Sequence, residues 1–206
     1  MRIFKIRPVY DRGRRRFRSF EPVGDVDWLG LWRFDGSPKA TDWNPEGALV
    51  QIESGTRLAG DFVLPGLAFI FAMTNRASAI LRPITENVGE LLPLRTREGE
   101  LLSLLNVTPT IDCIDHSRTR GERNPDGTYF EIERYEFDVS ALPRASLFRP
   151  TYDWSLFAVE GAVAEDLDFK LVVERYGLQG IRFREVWNDD GSPVADSRPG
   201  EDIPGF

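Results

Sequence analysis

The 206-residue sequence has one cysteine, one histidine, two methionines and only three lysines, Lys5, Lys39 and Lys170. A single cysteine excludes an internal disulfide framework and suits a reducing compartment. Cys113 and His116 leave only carboxylates to complete a metal site, a poor ligand set for structural zinc, so no metal and no cofactor is expected. No apolar run reaches the roughly 20 residues of a membrane helix. The longest, FVLPGLAFIFAM (62–73), is broken by Pro65 and Gly66 and reads as core. The opening MRIFKIRP has no apolar stretch of the signal-peptide kind. Together these absences lead us to expect a cytoplasmic protein with no membrane partner. No strand candidate is followed by a glycine-rich phosphate loop, so no nucleotide fold is indicated.

What is present describes an ordinary globular chain: 41% hydrophobic and 29% charged residues, enough for one sizeable domain. The net charge of −7 is unevenly placed. Residues 1–18 carry eight basic side chains against Asp11 alone, which leaves 18 basic and 32 acidic residues, a balance of −14, in the rest. Such a body repels nucleic acid and attracts a basic partner at long range. The basic run itself, DRGRRRFR (11–18), is short, with Phe17 its one aromatic, and reads as a solvated hairpin loop rather than a phosphate-binding arm.

Along the chain, Ile3, Phe4 and Ile6 make a short strand, and residues 21–48 are irregular, with Trp28, Trp32 and Trp43 reading as core cover rather than as an interface. "WRFDGSPKA" from 32 and "WNDDGSPVA" from 187 echo each other, but no longer unit recurs, so the echo reads as shared turn chemistry after a strand. NRASAILRPITEN (75–87) has a helical pattern, with Asn75 as N-cap and Pro83 expected to shorten or kink it. GELLPLRT (89–96) and ELLSLLNVTPTIDCID (100–115) are strand candidates, the second interrupted at Pro109. Asn124-Pro125-Asp126-Gly127 supplies a hairpin turn, and the return strand TYFEIERYEFDV slips phase near Glu133-Arg134, as a bulge does. After strands at 147–148 and 156–159, a helix is expected from an Asp166 cap to Tyr176, burying Phe169, Val172, Val173 and Tyr176 and stopped by Gly177. The strand IRFREVW (181–187) follows, and the tail 188–206 is polar and rich in Pro and Gly. The expectation is an α+β single domain over 1–187, with a largely antiparallel, twisted sheet and a few short helices.

The chemistry of this chain, if it has any, would centre on Cys113, His116 and Asp112. On a strand residues 113 and 116 point to opposite faces, and no glycine-rich or helix-start feature adjoins the cysteine to serve as an oxyanion site. The bland reading is therefore preferred over a dyad, and no catalytic residue is assigned.

"GELLPL" (89–94), "LLNVTPTIDCID" (104–115), "PDG" (125–127), "IERYEF" (132–137) and "FKLVVERYGLQGIRFREVW" (169–187) resemble, in order and spacing, the blocks of the Imm11 family of bacterial immunity proteins. The resemblance covers about residues 60–187, and 1–60 only loosely. It implies a cytoplasmic, non-enzymatic protein of a polymorphic toxin system that binds and neutralises a cognate protein toxin in the producing cell. In the matching block it implies a small apolar residue where Cys113 stands and a polar one where His116 stands, which makes both idiosyncratic. An acidic body suits a basic toxin and not a nucleic acid. Asp112, Asp115, Glu131 and Glu133, all near the one well-marked hairpin, are the candidate partner-binding residues. Two alternatives stay open: a small hydrolase or transferase dependent on Cys113 and His116, and a nucleic-acid-binding protein using the Arg14–Arg18 run.

Overall fold

The computed structural model describes residues 1–194 apart from 12–13, 26, 28–30, 45, 54–56, 66–69 and 109, with backbone but not side chains at 10–11 and 14–15. Arg12, Trp28, Gly66, Pro109 and the tail from residue 195 onward lie outside the described residues.

Among the described residues, fifteen strands and two α-helices follow one another. The first half supplies β1 (Arg2–Pro8), the short hairpin β2 (Tyr10–Asp11) and β3 (Arg14–Arg15), then β4 (Ser19–Pro22), β5 (Ala48–Glu53), β6 (Phe62–Pro65) and β7 (Phe71–Thr74). Helix α1 (Asn75–Thr85) leads into β8 (Gly89–Thr96), β9 (Leu101–Val107) and β10 (Thr110–Ile111). The remainder is β11 (Arg120–Arg123), β12 (Tyr129–Arg134), β13 (Leu147–Pro150), β14 (Phe157–Glu160), α2 (Phe169–Arg175) and β15 (Ile181–Asn188).

Strand accounts for 41% of the described residues and helix for 12%, so the described structure is mostly β and the α+β expectation overstates its helices. The larger correction is closure. Six strands form a closed barrel in the order β4-β5-β8-β9-β7-β6, and the β4–β6 and β5–β8 pairings are parallel. A second, five-stranded sheet runs β10-β13-β14-β1-β15, with only β10–β13 parallel. Alternation reveals a half-buried strand but carries no information on whether the sheet closes on itself, so an open sheet was the natural expectation.

The alternation itself is faithfully used. In β9, Leu102 and Leu104 face the barrel interior with Phe20, Val50, Leu92 and Leu94, whereas Leu105 and Val107 face outward. The barrel is filled by side chains, as expected of one this small. Trp32, Phe34 and Trp43 pack on that interior cluster, with Trp32 and Trp43 ring centroids 5.2 Å apart. Trp43 Nε1 donates to the Pro93 carbonyl (2.8 Å). The two described tryptophans of this loop thus cover the core. Glu90 pins the same loop by accepting from the Lys39 and Ala40 backbone N–H groups (2.7 and 3.1 Å) and from Asn106 Nδ2 (2.9 Å).

The outer barrel face carries Phe62, Phe71 and Leu105 into a second cluster with Leu81 of α1, Phe169 of α2 and Phe4 and Ile6 of β1. That cluster joins the barrel to the five-stranded sheet. The N-cap of α1 is Thr74, one residue before the expected Asn75, and its hydroxyl accepts from Ala77 N (3.4 Å). In α2 the cap is Asp168, not Asp166: Asp168 is buried and accepts from both Leu171 N and Gly161 N, work that exposed Asp166 cannot do. Phe169, Val172 and Val173 are buried as expected. Tyr176 is 51% exposed, because the helix ends at Arg175 and the chain turns away before the next buried position.

Candidate partner-binding surface

The four candidate carboxylates lie on the hairpin β11–β12 and on the segment that precedes it. At the hairpin tip Gly127 has φ 87°, and Asp126 accepts from both the backbone N–H and the hydroxyl of Thr128 (3.0 and 2.6 Å). The pairing register then drops two residues of β12: Arg134 and Ile132 oppose Arg120 and Gly121, and Glu131 and Tyr129 oppose Glu122 and Arg123. Glu133 and Phe130 are the extra residues, and both are exposed. The bulge at Glu133 is the phase slip visible in the sequence. The one at Phe130 explains why Tyr129 and Ile132, three apart, are both buried while Phe130 is 65% exposed.

The preceding segment is tied to the hairpin's exit. Ile114 bridges Phe137, Asp115 N donates to Glu136 O (2.9 Å), and Thr119 exchanges hydrogen bonds with the Glu136 backbone. Glu136 is held by Arg118 (3.2 Å) and Arg134 (3.1 Å). Asp115 accepts from Ser117 N and Oγ, and Asp138 accepts likewise from Ser140. The hydroxyl first, then the backbone N–H groups, holds each carboxyl below its ordinary range, so both are charged near neutrality. The same Asp-x-Ser/Thr turn closes Asp35–Ser37 and Asp190–Ser192, which accounts for the sequence echo as turn chemistry.

Two hollows flank this segment. One, of about 630 Å³, is lined by Asp112, Asp115, Asp138 and His116 around Ile114, Phe137 and Val139. The other, of about 670 Å³, lies between residues 133–139 and the strand β15 with its continuation to Val194. Asp112 and Asp115 are thus brought together, Glu133 lines the neighbouring hollow, and Glu131 lines neither. Sequence reasoning missed Asp138, although its Asp138-Val139-Ser140 context repeats the Asp115-His116-Ser117 pattern upstream. It also missed Val139, which is 51% exposed.

Cys113 and His116 do not assemble a catalytic pair. Cys113 is 1% exposed, and burial, reinforced by the negative charges of Asp112 and Asp138, pushes its thiol up to about 12. No hydrogen bond joins the thiol to the ring. His116 instead lies with Nδ1 3.1 Å from the Tyr129 hydroxyl, edge-on to Tyr152, and with Nε2 3.8 Å from Asp112. Arg123 ties the Tyr129 hydroxyl (2.8 Å) and the His116 carbonyl (3.1 Å) together, a structural clasp for the hairpin. Among the described residues no group of three or more His, Cys, Asp or Glu side chains is placed to hold a metal ion.

Beneath the surface, Lys5 of β1, Tyr135 and Asp153 form a buried network: Lys5 Nζ lies 2.6 Å from the Tyr135 hydroxyl and 3.3 Å from Asp153 Oδ2, and the hydroxyl donates to Asp153 at 2.5 Å. Burial alone would raise the Asp153 carboxyl; Lys5 and the hydrogen bonds from Tyr135 and Ser155 outweigh it and bring it to about 2. Nearby Arg149 is 1% exposed and donates to Trp154 O (2.9 Å). Burial pulls its guanidinium down to about 10, still well above neutrality.

In the basic N-terminal run, Arg16 is exposed over the Phe17 ring and Arg18 pairs with Glu100 (3.3 Å). The side chains of Arg12, Arg14 and Arg15 lie outside the described residues. No helix among the described residues is long and apolar enough to cross a membrane. No protein-family model and no curated protein matches the sequence.

Proposed function

We propose that the protein is an immunity factor that binds one cognate protein toxin, basic at its contact surface, and neutralises it stoichiometrically in the cell that makes both. The observation that carries this reading is the open surface beside the hairpin. There Asp112, Asp115 and Asp138 stand around an exposed apolar residue, Val139, with two of the three carboxylates held rigidly by their own turns. Rigid carboxylates lose little freedom on meeting a cation, which favours protein recognition. The resemblance to immunity proteins through residues 104–115, 132–137 and 169–187 supports the same reading. An enzymatic alternative on Cys113 is disfavoured by its burial and its protonated thiol, because the thiolate is the nucleophile. Co-expression with the toxin domain encoded by the adjacent reading frame tests the proposal. Growth should be rescued, and the two purified chains should elute as one complex at a one-to-one ratio. Protection at far below one molecule per toxin would show an enzymatic antidote instead.

A further inference from the structure

The two hollows share Arg118, Phe137 and Val139 in their linings, so they are the two sides of one groove crossed by the Phe137–Val139 ridge. Its accessible lining is mostly polar, over buried apolar side chains: Ile114 on one side of the ridge, Val186 on the other, with half-buried Trp187 beside it. Its lining is not electrically balanced. Asp112, Asp115, Asp138, Glu133, Glu136 and Asp189 face three guanidiniums, those of Arg118, Arg134 and Arg184, and Asp189 is paired with the Met1 ammonium (2.9 Å), which leaves an excess of two negative charges with His116 left aside. Two of those guanidiniums are already engaged by Glu136, so the excess is concentrated on the Asp112–Asp115–Asp138 side. The crest itself offers an apolar contact, since Val139 stands 51% exposed there.

We infer that this groove is where the partner docks, and that its occupant is a basic segment of the partner protein. An apolar side chain of that segment seats on the ridge at Val139, while lysine or arginine side chains meet the three aspartates. This deepens the immunity reading and rests on it for the identity of the partner, though not for the chemistry of the segment. Charge complementarity is what selects the occupant: an acidic or neutral segment would leave the excess carboxylates desolvated without counter-charges.

Titration of the ¹⁵N-labelled full-length chain with a synthetic peptide of alternating arginine and leucine, and with its glutamate–leucine counterpart, tests the inference. The basic peptide should shift amides of residues 112–118, 133–139 and 184–194, and the acidic peptide should shift none of them. Asp112→Lys and Val139→Ser should each weaken the basic peptide by about tenfold, whereas Glu98→Lys, an exposed control outside the groove, should not. Shifts elsewhere, equal binding of both peptides, or no binding overturns the inference. So does a variant ending at residue 194 in which the same amides move without peptide, since the groove would then hold the chain's own end. Concentration-dependent shifts without peptide would identify a second copy as occupant and overturn it too. The adjacent toxin separates this from the broader reading. If it co-elutes equally with wild type and with Asp112→Lys/Val139→Ser, the groove is wrong and immunity by binding stands. If the peptide seats in the groove while no adjacent toxin binds, the reverse holds.

Discussion

Cys113 attracts attention in the sequence because it is alone, and the structure uses it as a small hydrophobe among Phe137, Phe148 and Phe157. Its thiol, pushed up to about 12, is almost wholly protonated at neutral pH, so alkylation of the folded protein should be slow and should accelerate sharply on unfolding. Cys113→Ala should retain binding to the proposed toxin partner; rapid labelling of the native chain, with binding lost in both Cys113→Ala and His116→Ala, would restore the enzymatic reading. The buried Lys5–Tyr135–Asp153 network makes a second residue-level claim. The Asp153 carboxyl sits at about 2 when folded, against an ordinary 3.8. A depressed carboxyl favours the folded state at every pH above its ordinary value, and the contribution, about 2 kcal/mol, is lost as pH falls from near 4 towards 2. Denaturant titrations between pH 5 and pH 2 should show that loss in wild type and should show less of it in Asp153→Asn. Lys5→Met leaves the buried carboxylate without its cation and should cost roughly 3 kcal/mol or more. The Lys5→Met/Asp153→Asn double variant should cost less than the two singles summed, because the same interaction is removed twice. Neither Lys5 nor Asp153 could be paired from the sequence: they are 148 residues apart and nothing local marks either as buried.

Local chemistry was legible wherever an element ends in a few residues of its own making. The close of α2 is the clearest case. Gly177 has φ 58°, Leu178 N donates to Val173 O (3.0 Å), and Gly177 N donates to Glu174 O (3.1 Å), with Leu178 buried beyond them. This is the Schellman arrangement that Gly177-Leu178 announces. A Cβ at Gly177 would meet no atom within 4 Å, so Gly177→Ala tests backbone conformation alone and should cost about 1 kcal/mol, read from chemical denaturation. A cost near zero would mean that the left-handed turn is not what stops the helix. The bulge at Glu133 was equally legible, because a slip in alternation is itself the signal. The bulge at Phe130 was not. One exposed phenylalanine next to a buried tyrosine reads as ordinary alternation until the partner strand is known. The helix starts were displaced for a similar reason: Asp166 and Asp168 are equally good caps in sequence, and only the burial of Asp168 against Gly161 N decides between them.

At the scale of the whole molecule, closure of the barrel and its joining to the five-stranded sheet depend on pairings distant in sequence, such as β4 with β6 and β1 with β15. Those pairings lie beyond what periodicity encodes. They also decide the site, since β1–β15 pairing brings Val186 and Trp187 opposite the hairpin exit and so creates the groove. Charge, by contrast, is legible at this scale, and the proposed function makes it consequential. The chain carries −7 overall and −14 beyond residue 18, and the groove concentrates part of that excess at one place. If a basic toxin is the partner, long-range attraction raises the rate of encounter, while the seated complex is held mainly by contacts that exclude salt. The screening length shortens from about 14 Å at 50 mM salt to about 4 Å at 500 mM. Association measured by stopped flow should therefore slow by at least about tenfold over that range, while dissociation changes only a few-fold. Asp112→Asn/Asp138→Asn should lower the association rate at low salt and flatten its salt dependence, since both carboxylates line the proposed docking groove. Glu98→Gln, on an exposed turn elsewhere, should leave the slope nearly unchanged. An association rate indifferent to salt, or a slope that Glu98→Gln flattens as much as Asp112→Asn/Asp138→Asn does, would mean that charge on this face does not guide the partner.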